Sequence, residues 1–315
     1  VTATATPARP SAGSSGGARV RRARRPRAWL PGLLLLSPSI LAIAVFVYGM
    51  IGWNIRVSLS NWHTTVEDMS WGGFGTYRGL LDDQRFRDAW LNLLTFTLAF
   101  VVGTLVMGLV MALLLEKGVR GEGFFRAVYL FPMAVSFIAS GIVWRWLMNP
   151  APGDRAAGLN KLFGSIGLGG LSNPWWQDPH WGMAAMALPA VWQMSGYVMA
   201  LFLAGFRGVP EELREAARVD GANEFQVYRH IVFPHLRPVT LSALIIIGHI
   251  SLKVFDLIVA IASRQIIADV PAVYMWDITF FGQDYAKGAA IGVVLLLFVA
   301  LLIIPYLVHT FRQEK

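Results

Sequence analysis

The chain has 315 residues, 55% hydrophobic and 15% charged, with a formal net charge of +8, a pI near 10.0 and a mean hydropathy of +0.52. Soluble domains carry about 25% charged residues, so a pair of soluble domains does not fit. With no cysteine, disulfides, thiol chemistry and cysteine metal sites are excluded. The basic surplus lies in segments flanking apolar runs, which makes it a topology signal with some attraction to anionic lipid rather than a nucleic-acid footprint.

Residues 1–28 form an arginine-rich tail of Ala, Ser, Gly and Pro in which no acid accompanies seven arginines. Such a composition cannot bury apolar surface, and disorder is expected. The run LPGLLLLSPSILAIAVFVYGMIGW then exceeds a signal-peptide core of about 7–15 residues, and no A-x-A site closes it, so a retained first span is expected. Six apolar runs occur, near 30–55, 90–115, 126–147, 183–206, 239–262 and 287–310. Each approaches the roughly 20 residues that a hydrocarbon core requires. The predicted fold is all-α, a polytopic membrane protein of six transmembrane helices. Residues 29–89 supply the first helix and an extracytoplasmic loop, 90–310 the transmembrane core, and 311–315 a short C-terminus. Lysine and arginine bias places both termini and the segment 207–238 in the cytoplasm, with the chain in the cell membrane.

Further features follow in order. Asp82 and Asp83 are expected to start a short interfacial helix before Asn92 opens the second span. The short turn EKGVRGEGFFR makes the second and third spans antiparallel neighbours. Pro132 falls inside the third span, where neighbouring groups can satisfy the carbonyl it frees. Trp175, Trp176 and Trp181 read as an interfacial aromatic belt, with a docking rim as the other reading. No repeat of 20–50 residues is evident, which argues against a solenoid.

The densest charge occurs at 211–234, EELREAARVDGANEFQVYRHIVFP. Pro210 suits a first helical position, and Glu211 and Glu212 suit a helix N-terminus. Leu213, Ala216 and Ala217 share one face, while Glu211–Arg214 and Glu215–Arg218 are spaced as i,i+3 pairs. Asp220-Gly221 should stop this helix and Asn223 should cap a second. On that second helix Phe225, Tyr228 and Val232 share a face, and Pro234 should end it. Two short helices joined by a glycine elbow could be a solvated hairpin, an amphipathic pair on lipid or a docking knob. The balanced charge and small alanine-built face suit a protein groove.

Glu215-Ala216-Ala217, Asp220-Gly221-Ala222 and Ile231-Val232-Phe233-Pro234 together resemble the EAA signature of ABC importer permeases. Every spacing matches, with Phe233 where leucine is usual. The resemblance extends over residues 30–310 through FGTYRGLLDDQRFRDAWLNLLTFT and FFRAVYLFPMAVSFIASGIVWRWLMNP, although Thr76 stands where asparagine is common. It points to the carbohydrate-uptake branch, of the larger-subunit maltose-permease type. The loop ASRQIIADVPA lacks the Gly-Gly-Pro common there. The resemblance implies a type I ABC importer permease fold with cytoplasmic coupling helices. Its implied partners are a second homologous permease subunit, ATP-binding ATPase subunits, an extracytoplasmic solute-binding protein, membrane lipid and a sugar substrate. ATP and Mg would belong to the ATPase and no cofactor to this chain. Glu215, Ala216, Ala217, Asp220, Gly221, Ile231 and Pro234 would be the coupling residues.

No G-x-x-x-x-G-K-[ST], H-E-x-x-H or G-x-S-x-G string occurs, so a non-catalytic subunit is expected. Polar residues within spans are costly enough to be functional candidates. The fourth span carries Trp192, Gln193, Ser195 and Tyr197. The fifth carries His249, Ser251, Lys253 and Asp256. At 1.5 Å per residue Gln193 and His249 reach similar depth near the midplane. Trp192, Gln193, Tyr197, His249, Ser251 and Lys253 are therefore the predicted substrate pathway. Packing of Trp192, helix bonding by Ser195 and Ser251, and neutralisation of Lys253 by Asp256 are the purely structural readings. An ion-coupled carrier using Lys253, Asp256 and His249 is the alternative function.

Overall fold

In hydrocarbon every backbone N–H and C=O must be paired within its own segment, so apolar runs of this length become helices. The computed structural model describes residues 30–116 and 118–313; the predicted tail and residues 314–315 lie outside them. The chain divides into two units, residues 1–51 and 52–315. In the first, helix α1 (Leu30–Ile43) leads into a wider π turn, Ala44–Gly49. Helix α2 (Met50–Ser58) follows. A bridge between Ser60 and Trp71 is the only extended pairing outside named strands among the described residues.

Helix α3 (Gly75–Asp82) ends where a helix was expected to start. The second span begins directly afterwards, well ahead of Asn92, because Asp83 accepts hydrogen bonds from the backbone N–H groups of Arg85 (2.9 Å) and Phe86 (3.4 Å). A carboxylate at that position satisfies the unpaired donors of a helix N-terminus. Helix α4 (Gln84–Glu116) then runs 33 residues, about 50 Å at 1.5 Å per residue. Its buried residues, Phe86, Ala89, Leu93, Phe96, Phe100, Thr104, Gly108, Ala112 and Leu115, recur at three- and four-residue steps and make one packing stripe.

The predicted third span is bent. Helix α5 (Glu122–Leu130) passes through a 3-10 turn, Phe131–Ala134, and then turns by 96° into α6 (Phe137–Leu147). Pro132 lacks the N–H needed to continue the ladder, and Ser136 caps α6 by accepting from Ala139 N–H at 3.2 Å. After α7 (Gly158–Ser165), the loop centres on Asn160, whose amide donates to Asn149 O and Asn173 O and accepts from the Trp175 indole at 2.8 Å. Trp175 and Trp176 are buried, and only Trp181 of the three is exposed. The aromatic-belt reading therefore holds for Trp181 at most; its neighbours are packing residues.

Helix α8 (Gly182–Arg207) packs along α4. A Cβ at Gly103 would lie 2.8 Å from Val191 Cγ2, and one at Gly108 2.7 Å from Val198 Cγ1. Small residues at such crossings let helix backbones approach where water offers no drive. The elbow comprises α9 (Glu211–Val219) and α10 (Glu224–Val227). Pro210 precedes the first helix instead of entering it. Beyond α10 a π turn, Tyr228–Val232, carries the chain into α11 (Phe233–His235), so the helix continues past Pro234 before bending 59° into α12 (Arg237–Leu252).

The predicted fifth span is divided, since Lys253–Phe255 are not helical and α13 (Asp256–Ala262) starts afresh. A further helix, α14 (Pro271–Phe280), precedes α15 (Tyr285–Gln313). Among the described residues, four helices are long and apolar enough to cross a membrane, or six spans if each bent pair is counted as one. The polytopic all-α reading stands, with two of its spans broken.

Candidate functional site

The elbow is held at each step by its own chemistry. Gly221 has φ +84°, and nothing lies within 4 Å of an added Cβ. The requirement for glycine is thus conformational, worth about 1–2 kcal/mol against other residues. Asn223 accepts from Gln226 N–H at 2.9 Å while the Gln226 side chain accepts from Asn223 N–H at 2.8 Å, a reciprocal capping box. Ala217, Ala222, Tyr228 and Ile231 pack on the main core, with Val227 and Val232 fully inside it. Glu215, Ala216, Asp220 and Gly221 remain exposed, and Pro234 is half-buried. A hollow of about 320 Å³ in the crook is lined by Ala217, Asp220, Gly221, Ala222 and Ile231. Four of the seven predicted coupling residues, Ala217, Asp220, Gly221 and Ile231, therefore border one surface feature.

Its ion pairs differ from the predicted ones. Arg218 reaches Glu224 at 3.0 Å and Glu211 at 3.3 Å, not Glu215. Glu211 and Arg214 stand 4.0 Å apart, a loose contact. Arg214 is instead turned towards Glu116, the last residue of α4, at 2.8 Å, and donates a second bond to Phe206 O at 3.1 Å. Tyr228 donates to the other Glu116 oxygen at 2.6 Å. The predicted face of Phe225, Tyr228 and Val232 also fails: Phe225 is 70% exposed and Val232 buried, because the π turn shifts the helical register between them.

The second predicted site resolves into separate environments. His249, Ser251, Lys253 and Asp256 line a cavity of about 230 Å³ with Phe96, Phe100 and Phe137. It opens where the chain between α12 and α13 loses its helical ladder. His249 Nδ1 is buried there with no hydrogen-bond partner. Ser251 donates to Gly248 O at 2.7 Å, as its structural reading held. Lys253 and Asp256 form no ion pair with one another among the described residues. Trp192, Gln193 and Tyr197 do not line this cavity. Trp192 leans on Trp144 at a centroid distance of 6.2 Å. Tyr197 packs against the core. Gln193 is buried and donates to Val135 O at the bend between α5 and α6.

A third cluster escaped sequence reading altogether. At the other end of α4, Arg85 bonds Asp269 at 2.6 Å and Asp277 at 2.9 Å. Arg264 takes the second oxygen of Asp277 at 2.6 Å. Tyr274 donates to Asp83 at 2.5 Å, and Lys287 pairs with the same carboxylate at 2.8 Å. Arg85 also lies over the Tyr274 ring, 4.4 Å from its centroid. Burial pushes the Asp269 carboxyl above its ordinary value, which Arg85 offsets only in part. Burial also opposes ionisation of Asp277, but bonds from Arg85 and Arg264 outweigh it and hold that carboxyl low. For Asp83, burial is outweighed in the same way by Lys287 and Tyr274. These partners stand 184 and 192 residues apart for Arg85, so no local spacing could reveal them.

Comparison with known proteins supplies a frame for this geometry. Residues 104–313 match the family described as binding-protein-dependent transport system inner membrane component. A probable ABC transporter permease protein of Pyrococcus horikoshii is 36% identical over 285 residues, covering 90% of this chain and 96% of its own. The xylose/arabinose import permease protein of Haloferax volcanii is 32% identical over 282 residues, 88% of this chain and 86% of its own. Among solved structures, a chain of a bacterial ABC transporter involved in import of the acidic polysaccharide alginate aligns with a TM-score of 0.73, at 24% identity, over 91% of this chain and 96% of its own.

Proposed function

Because the chain belongs to the family of binding-protein-dependent transport system inner membrane components, we propose that it is the permease subunit of an ATP-driven importer whose cargo is a sugar. The observation that carries this reading is the elbow: a charged, capped pair of short helices at the end of apolar spans, offering Glu215 and Ala216 outward around Gly221. A solvated loop would need neither the left-handed glycine nor the capping box. Helix-in-groove docking uses both, since each fixes the angle at which the pair is presented.

In this reading the elbow faces the cytoplasm and seats in a cleft of a separate ATPase subunit, which binds ATP and Mg. Glu215 bears on that surface, Ala216 and Ala217 permit close approach, Asp220 and Gly221 set the angle, and Ile231 and Pro234 anchor the second helix. A second homologous permease completes the membrane pathway. An extracytoplasmic solute-binding protein delivers the cargo at the opposite face. Differential contacts in two ATPase states bias two permease states.

Sugar as cargo is supported by the Haloferax volcanii relative, whose name states xylose and arabinose, and by the chemistry of the cavity. His249, Ser251 and Lys253 offer polar groups beside Phe96, Phe100 and Phe137. Sites for small molecules combine apolar walls with a few convergent polar groups in this way. Trp192, Gln193 and Tyr197 belong to the same proposed pathway on the neighbouring helix.

The test is uptake by cells carrying the complete transporter, measured across a panel of labelled monosaccharides and disaccharides. Uptake should persist under an uncoupler and stop on ATP depletion. Uptake that follows the proton gradient instead would overturn this reading in favour of an ion-coupled carrier using His249, Lys253 and Asp256.

A further inference from the structure

A docked elbow transmits force only if it is fastened to the helices it must move. The backbone does this poorly. At one end the elbow joins α8 through Gly208, Val209 and Pro210, which are not helical. At the other it joins α12 through a π turn and a 59° bend. The α4 helix has no chain connection to the elbow at all, yet it packs along α8 and ends in the ion lattice around Arg85.

The side chains close this gap. Glu116 terminates α4, where a negative charge opposes the helix dipole and is costly without compensation. Its two oxygens accept separately from Arg214 of α9 and Tyr228 at the start of the π turn. The Glu116 and Arg214 side chains are 10% and 12% exposed, against 62% for Glu211 and 44% for Arg218. Through its other nitrogen Arg214 also holds the carbonyl of Phe206 in the last turn of α8. One guanidinium thus grips the ends of both long packed helices, and one carboxylate spans both arms of the elbow.

We infer that Glu116, clasped by Arg214 and Tyr228, is the joint that delivers elbow motion to α4, and through that roughly 50 Å rod to the far end of the helix beside Arg85. Glu116 and Arg214 are positioning residues: they touch no cargo and act by fixing α9 and the π turn to the bundle. The inference rests on the proposed ATPase coupling, and it adds that transmission runs through α4 as well as through the chain ends of the elbow.

The measurement is the ratio of substrate accumulated to ATP hydrolysed by the assembled transporter in vesicles. Glu116→Gln keeps the shape and removes the charge. It should lower the ratio about tenfold, within the usual range for coupling between sites, while the complex still assembles. Tyr228→Phe, which keeps the ion pair, should lower it less. Exchange of the charges, Glu116→Arg with Arg214→Glu, should recover part of the loss. A purely structural clamp predicts a lower melting temperature with an unchanged ratio in both single variants, which would overturn the inference. If Glu116→Gln fails to assemble, Tyr228→Phe and the exchanged pair decide, and an unchanged ratio in both overturns it. Wild-type vesicles distinguish the two levels. No ATP-dependent uptake there removes the functional reading itself, whereas normal uptake with insensitive variants removes only the role of Glu116.

Discussion

The two ends of α4 are both held by charge, but to different purposes. Around Arg85, Asp269 and Asp277 the guanidinium and carboxylates are consumed by one another, and Tyr274, Asp83 and Lys287 extend the same lattice. At the elbow only Glu116 and Arg214 are committed inward, while Glu215 and Asp220 stay in water. A region that satisfies its charges internally is built to keep its shape. One that leaves charges exposed beside a fixed bend suits the docking proposed for the elbow.

Four perturbations test that contrast. The largest effect is expected from Gly221→Asp, which meets open space and only modest backbone strain. It should abolish uptake while the protein still inserts and unfolds close to the wild-type temperature. Normal transport by this variant would break the elbow reading. Arg85→Ala should do the reverse, costing about 3–5 kcal/mol because the buried Asp269 loses its charge partner; thermal unfolding in detergent measures it. Asn223→Ala removes a cap and should cost about 1 kcal/mol, with a fall in uptake larger than that cost explains. An uptake loss in proportion to stability alone would blur the distinction between the two ends.

Acid is the mildest probe. The Asp83 and Asp277 carboxyls are held below the ordinary value of 3.8, so their contribution is complete above that pH and is lost only as pH falls beneath it. The Asp269 carboxyl is raised. It takes up its proton at higher pH than the others, and doing so relieves a burial cost. The melting temperature should therefore hold or rise slightly as pH descends towards 3.8, while Asp269 takes up its proton, and drop below it as Asp83 and Asp277 are protonated. A steady decline starting near neutrality would show that the lattice does not govern the stability of that end.

What the sequence disclosed and what it withheld follow one rule. The four continuous spans, the turn at Gly221 and the cap at Asn223 depend on residues within a few positions of each other, and each was legible. Pro132 reads from sequence as tolerated within the third span where neighbours satisfy the freed carbonyl, but which neighbour does so is not written locally, and here the chain turns by 96°. The break at Lys253–Phe255 carries no proline or glycine to announce it. Asp82 and Asp83 are expected from sequence only to start a short helix, yet Asp83 is both the cap of the second span and a lattice member. Partners such as Arg85 with Asp269, or Glu116 with Arg214, meet only once α4, α8 and α14 have packed.

Gln193 illustrates what such packing does to a nominated residue. Its amide nitrogen stands in for the helical N–H that would otherwise cover Val135 O at the bend, making this side chain a splint across a fractured helix. The amide oxygen has no hydrogen-bond partner and is sealed from solvent. Any straightening of the α5–α6 bend would have to unfasten this splint first, so the bend and the rotamer of one α8 side chain are set together.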